Sequence, residues 1–132
     1  SDLNVSGSPN KLLYNTVSSV TQPTTPTSIV RISQLTGSSV IVSKLGTWRA
    51  NVIATVTDSN NLPIANATVS GGFSVGGTSI NCTTNSQGQC QLNSGNISRF
   101  TSNTKYSVKN ISGTNMTYAS SSNIASSVTI YR

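Results

Sequence analysis

WRANVIATVTDSNNLPIANATVSGGF, from Trp48 to Phe73, decides the fold class. In its first ten residues Trp48, Ala50, Val52, Ala54 and Val56 alternate with Arg49, Asn51, Ile53, Thr55 and Thr57. A period of two places the first set on one face of a strand, so the pattern predicts a half-buried β-strand whose core face is already named. DSNNLP (Asp58 to Pro63) then supplies turn chemistry, with the Asp58 carboxylate placed to accept backbone N–H groups in an Asx-type turn. A second strand carries Ala67, Val69 and Phe73 inward. Gly71 and Gly72 interrupt it, which predicts a bulge or the close approach of another backbone.

The same signal repeats outward from this stretch. From Ser28 on, short apolar alternations are separated by turn residues every 8 to 12 positions, with no helical period of useful length. Further strands take Ile80 and Cys82, Cys90 and Leu92, Tyr106 and Val108, and finally Val128 and Ile130. The expectation is an all-β sandwich of about seven strands in two sheets. Cys82 and Cys90 are the only cysteines. They sit on two strands joined by TTNSQGQ (Thr83 to Gln89), where Asn85 and Gly88 can supply positive φ, so a disulfide stapling one hairpin is expected. A metal site or redox pair is the weaker use of these thiols, because histidine is absent and the spacing is not CxxC.

Composition narrows function by subtraction. The 132 residues contain eight Lys and Arg, two Asp and Glu together, and no His. The two acids are Asp2 and Asp58. General acid/base catalysis needs a carboxyl or imidazole tuned near neutrality, usually beside a second such group, and this chain cannot assemble one. No catalytic residue, metal ligand or cofactor is therefore expected. The net charge of +6 comes from scattered bases with no interleaved aromatic stacking set, which argues against nucleic acid. No run approaches the ~20 apolar residues of a membrane span. Scarce charge and abundant Ser, Thr and Asn fit an extracellular or cell-surface β-protein, and an exported chain is expected to have lost any leader.

The chain divides near residue 28. Residues 1–28 form an N-terminal arm ending in the spacer TQPTTPTS (Thr21 to Ser28), whose prolines favour extended backbone, and residues 29–132 form the sandwich. Within the arm, KLLYNTVSSV (Lys11 to Val20) reads as one strand, with Leu13 and Val17 on one face and Leu12, Tyr14 and Val20 on the other. A lone strand needs a partner sheet. It is either an interdomain linker or a strand donated to a neighbour.

Residues 30–132 resemble a bacterial immunoglobulin/fibronectin-III-like accessory domain that recurs in secreted and surface proteins. The resemblance rests on GTWRANVIATVTDSNNLPIANATVSG (Gly46 to Gly71), CTTNSQGQC (Cys82 to Cys90) and YSVKNISG (Tyr106 to Gly113). It implies an immunoglobulin-like β-sandwich, without implying a function. Similar domains often carry acidic runs suited to Ca²⁺, whereas SQLTGSS (Ser33 to Ser39) and ASSSNIASS (Ala119 to Ser127) contain no carboxylate. Ca²⁺ binding is not carried over.

Asn-x-Ser/Thr sequons begin at Asn4, Asn66, Asn81, Asn96, Asn110 and Asn115. A chain this rich in Asn, Ser and Thr should show about five by chance, so the number alone assigns no glycan, and glycosylation stays open. A Lys–Asn isopeptide bond needs a buried acid beside the pair, and Asp58 in its turn is a poor candidate. Three readings follow. The first is a structural subunit of an extracellular filament, a polymer of identical copies joined head-to-tail by donation of the N-terminal strand. The second is an accessory module of a secreted hydrolase. The third is a carbohydrate- or surface-binding module, disfavoured because the aromatics are few and several fall at core-facing positions. A glycan or host surface remains a candidate partner in the last two.

Overall fold

The computed structural model describes residues 27–132. Eight strands appear in chain order: β1 (Ser28–Ile41), β2 (Trp48–Asp58), β3 (Thr68–Phe73), β4 (Ile80–Thr83), β5 (Gln89–Asn93), β6 (Asn103–Ser112), β7 (Met116–Tyr118) and β8 (Ser127–Tyr131), with one 3₁₀ turn at Ser120–Ser122. They form two four-stranded sheets, ordered β5-β2-β1-β7 and β4-β3-β6-β8, facing each other across one core. The fold is thus the all-β sandwich expected, with the three-residue β7 as an addition. MTY is too short to show alternation, and it forms because it can pair in parallel with Ser28–Val30 at the start of β1.

The alternation in β2 is realised in full: Trp48, Ala50, Val52, Ala54 and Val56 are all completely buried. Each such side chain contributes on the order of 1.5–3 kcal/mol when aliphatic or aromatic, and this inner row pins the register against β1. The Trp48 indole satisfies its buried N–H by donating to the carbonyls of Ser98 and Thr101, both at 3.1 Å. In the other sheet, Phe73 of β3 and its register partner Tyr106 of β6 meet edge to face with ring centroids 4.9 Å apart. The Tyr106 hydroxyl donates to the Ile80 carbonyl at 3.0 Å, and burial pushes its pKa up to about 12.

Of the two expectations for the paired glycines the close approach holds, whereas the bulge lies opposite them, with Lys109 of β6 as the extra residue. The β3–β6 ladder shifts register between Ser70 and Gly71. A Cβ on Gly71 would collide with the Ser107 carbonyl and come within 2.7 Å of the Tyr106 hydroxyl. The turn after β2 also forms as read: Asp58 Oδ1 accepts from the amides of Asn60 at 2.8 Å and Leu62 at 3.0 Å.

The disulfide is present but does a different job from the one expected. Cys82 and Cys90 are bonded, with Cα atoms 5.7 Å apart, yet β4 and β5 belong to different sheets. The bridge ties the two sheets together along one side of the sandwich and is not a hairpin staple. Residues 84–88 cross between the layers instead of turning within one. Buried Thr84 anchors the crossing, its hydroxyl donating to the Ile64 carbonyl at 2.6 Å and accepting from the Ala67 amide at 2.9 Å. Gly88 has positive φ as expected, and Asn85 does not; its side chain instead accepts from the amides of Gln87 and Gln89.

Candidate strand-acceptor edge

The side of the sandwich opposite the disulfide is formed by β1 in one sheet and by the edge strand β8 in the other. The first residues of β1 are covered on that side. Ser28–Val30 pair with β7, the Ile32 amide donates to Asn123 Oδ1 at 2.7 Å, and the Ile32 carbonyl accepts from the Ile124 amide at 2.9 Å. From Ser33 to Ile41 the strand pairs with β2 alone, and among the described residues no backbone pairs with its other edge. β8 likewise pairs only with β6.

The inward face of β1 changes at the same point. A bulge lies between Ile32 and Gln34, so the buried set runs Val30, Ile32, then Leu35. Period two carries that face on to Gly37, Ser39 and Ile41. A side chain built on Gly37 would meet Ile130 Cγ1 at 2.5 Å, and Val128 lies beside it, which fixes the direction as inward toward β8. The register partners of these three residues on β2 are Val52, Ala50 and Trp48, each 0% exposed. Gly37, Ser39 and Ile41 are nevertheless exposed, Ile41 at 52%. Beyond Gly37, where Ile130 of β8 lies over the strand, the inner row at Ser39 and Ile41 is therefore exposed, and among the described residues the backbone edge beside it is unpaired.

Exposed edges are normally blunted by lysine, proline or brevity, because an open row of N–H and C=O groups templates further pairing. β4 and β5, the edge strands on the disulfide side, are blunted by brevity, at 4 and 5 residues. SQLTGSSVI (Ser33 to Ile41) contains no charge and no proline over nine residues. Its chemistry is that of an edge left open to pair.

The other sequence-derived positions are distributed as follows. The arm residues Leu12, Leu13, Tyr14, Val17 and Val20, and the sequon at Asn4, lie outside the described residues. Asn66, Asn81, Asn96, Asn110 and Asn115 are all exposed, so every described sequon is sterically open. Asn96 is engaged by Arg49, whose Nε donates to its Oδ1 at 2.8 Å. Among the described residues no three His, Cys, Asp or Glu side chains cluster, and no helix is long and apolar enough to cross a membrane. Sequence reasoning missed Gly37, Ser39 and Ile41. The available signal was the absence of edge-protecting residues from Ser33 to Ile41.

Comparison with family models, with curated proteins and with solved structures found no match for this chain.

Proposed function

We propose that this protein is a non-catalytic structural subunit of an extracellular, pilus-like filament, in which residues 11–20 of one copy add as a strand to the open edge of β1 in the next. The observation that carries this reading is the coincidence, in one nine-residue segment, of a free uncharged backbone edge and an uncovered inner face. The donor is of matching length: ten residues with Leu13 and Val17 on one face and Leu12, Tyr14 and Val20 on the other. Placed beside β1, it would pair along Ser33–Ile41 and set Leu13 and Val17, or Leu12, Tyr14 and Val20 in the other register, toward the exposed inner row at Ser39 and Ile41. Two aliphatic side chains buried in this way stabilise the contact by roughly 3–6 kcal/mol before ordering costs, and the ladder adds to it. The N-terminal segment is joined to β1 at Ser28, at the opposite end of the strand from Ile41, so copies linked in this way would stack head-to-tail without closing. The disulfide is compatible with an oxidising location outside the cell.

The test is removal and return of the arm. A variant lacking residues 1–20 is expected to stay folded and monomeric, and a synthetic peptide of residues 11–20 is expected to bind it and to protect the β1 amides from hydrogen exchange. Placing lysines at Ser39 and Ile41 in the full chain should block assembly while preserving the fold. If the full chain is monomeric at all concentrations, or amides 11–20 of assembled material exchange like free peptide, the strand-donor reading fails. The motif resemblance then favours an accessory module of a secreted hydrolase.

A further inference from the structure

The outer face of the β4-β3-β6-β8 sheet carries a hollow of about 230 Å³ lined by Gly72, Ser74, Thr78, Lys105, Ser107 and Lys109. Lys105, Ser107 and Lys109 alternate along β6, so all three point outward on one row, with the two ammonium groups' attachment points roughly 13 Å apart. Between them, Ser107 pairs with Gly72 of β3. A side chain on Gly72 would strike the Thr78 carbonyl, so glycine lets residues 74–79 lie flat on the sheet and form one bank of the hollow. That bank is fixed in place: the Lys105 amide donates to Ser74 Oγ at 3.0 Å, the Ser74 amide donates to the Lys105 carbonyl at 2.9 Å, and the Phe73 amide donates to the Gly77 carbonyl at 2.7 Å.

The two lysines have no carboxylate to answer them here. Asp58 is the only acidic side chain among the described residues, it lies on the other sheet, and its Oδ1 is held by turn amides. The lining is otherwise made of lysine methylenes, the Gly72 and Phe73 residues of β3, and hydroxyls. Such a surface accepts the C–H face of a sugar ring, offers Ser and Thr hydroxyls to its OH groups, and places a cation at either end. We infer that this hollow binds an acidic saccharide, a sugar bearing carboxylate or sulfate, with Lys105 and Lys109 holding the anionic groups and Ser107 beneath the ring. The site is complete in a single copy and does not depend on assembly. In a filament it would recur on every subunit, multiplying a weak contact into an avid one.

The test is calorimetric titration of the full chain with oligogalacturonate, with dextran sulfate oligomers and with neutral dextran of equal length. One or both acidic oligomers are expected to bind and the neutral one is not; which acid binds identifies the group recognised. Replacing both lysines (K105Q/K109Q) should weaken binding by at least about tenfold, as expected for loss of two charge-assisted contacts. The equally charge-reducing pair K44Q/R99Q should change it by less than about threefold, since distant exposed charges are screened. Ser107→Trp, which fills the hollow and keeps both charges, should also abolish binding. Failure of both acidic oligomers to bind, equal binding of neutral dextran, an equal loss in both charge pairs, or full binding by the Ser107→Trp protein would each overturn the assignment.

Discussion

Replacing both cysteines with alanine tests how the two sheets are held together. The bridge closes a short loop, with a sequence separation of 8, so on the chain-entropy model its removal frees the unfolded chain by about 2.5 kcal/mol. The folded state should survive the loss. The inner rows of β2, β3 and β6 remain in contact through Val52, Val56, Val69, Phe73 and Tyr106, none of which needs the sulfur atoms to stay buried. For a domain of this size about 2.5 kcal/mol corresponds to a fall in melting temperature of about 10 °C, with cooperative unfolding retained. Thermal denaturation followed by circular dichroism measures it directly. Native-state hydrogen exchange adds the location: amides of β4, β5 and residues 84–88 should lose protection before those of β2, because each short edge strand pairs on one side only. An unchanged melting temperature would refute the entropic argument. Loss of cooperative unfolding would show that the core alone does not join the sheets.

Two further outcomes follow from the β3–β6 contact. Gly71→Ala forces a methyl group against the Ser107 carbonyl and the Tyr106 hydroxyl in a tightly packed ladder, and should cost about 2–3 kcal/mol in chemical denaturation, whereas Gly95→Ala, whose added methyl meets only the Gly76 carbonyl at 3.5 Å, should cost far less. Tyr106 stays protonated in the folded protein up to about pH 12 but ionises near 10 once unfolded. The unfolded chain therefore binds fewer protons in that window. The stabilising contribution is complete below pH 10 and lost as pH rises toward 12, so Tyr106→Phe should flatten the decline in melting temperature measured across that range.

What the sequence revealed, and what it hid, divides along physical lines. Side-chain alternation is local, so the inner face of β2 and the strands around Cys82, Cys90, Tyr106 and Ile130 were legible residue by residue. Gly71 and Gly72 announced a backbone conflict, and the structure supplies the close approach there while placing the bulge at Lys109 on the partner strand β6. The cysteine pairing was legible from there being two; which sheets it joins was not. Sheet membership depends on whether residues 84–88 turn back or cross over, and that is decided by the burial of Thr84, a residue that reads as ordinary loop. The open half of β1 was hidden for a related reason. Leu35, Gly37, Ser39 and Ile41 continue a normal inward row, and whether a neighbour covers that row is a property of the rest of the fold.

β1 also has a mechanical consequence. It is a single strand of 14 residues with one bulge at Ser33, joined to the N-terminal segment at Ser28 and exposed toward Ile41. In a filament joined at those two places, a pull transmitted through the arm would travel along the strand axis and reach the next joint without first opening either sheet. At each joint the load would fall on the hydrogen bonds between the donated strand and the Ser33–Ile41 edge together, in shear, and not on one bond at a time as in unzipping, while the ladder with β2 from Val30 to Ile41 anchors the strand in its own sheet. The disulfide lies on the far side of the sandwich, off this line of force. Tensile strength would then reside in the backbone of a single strand, with the core serving to keep that strand straight.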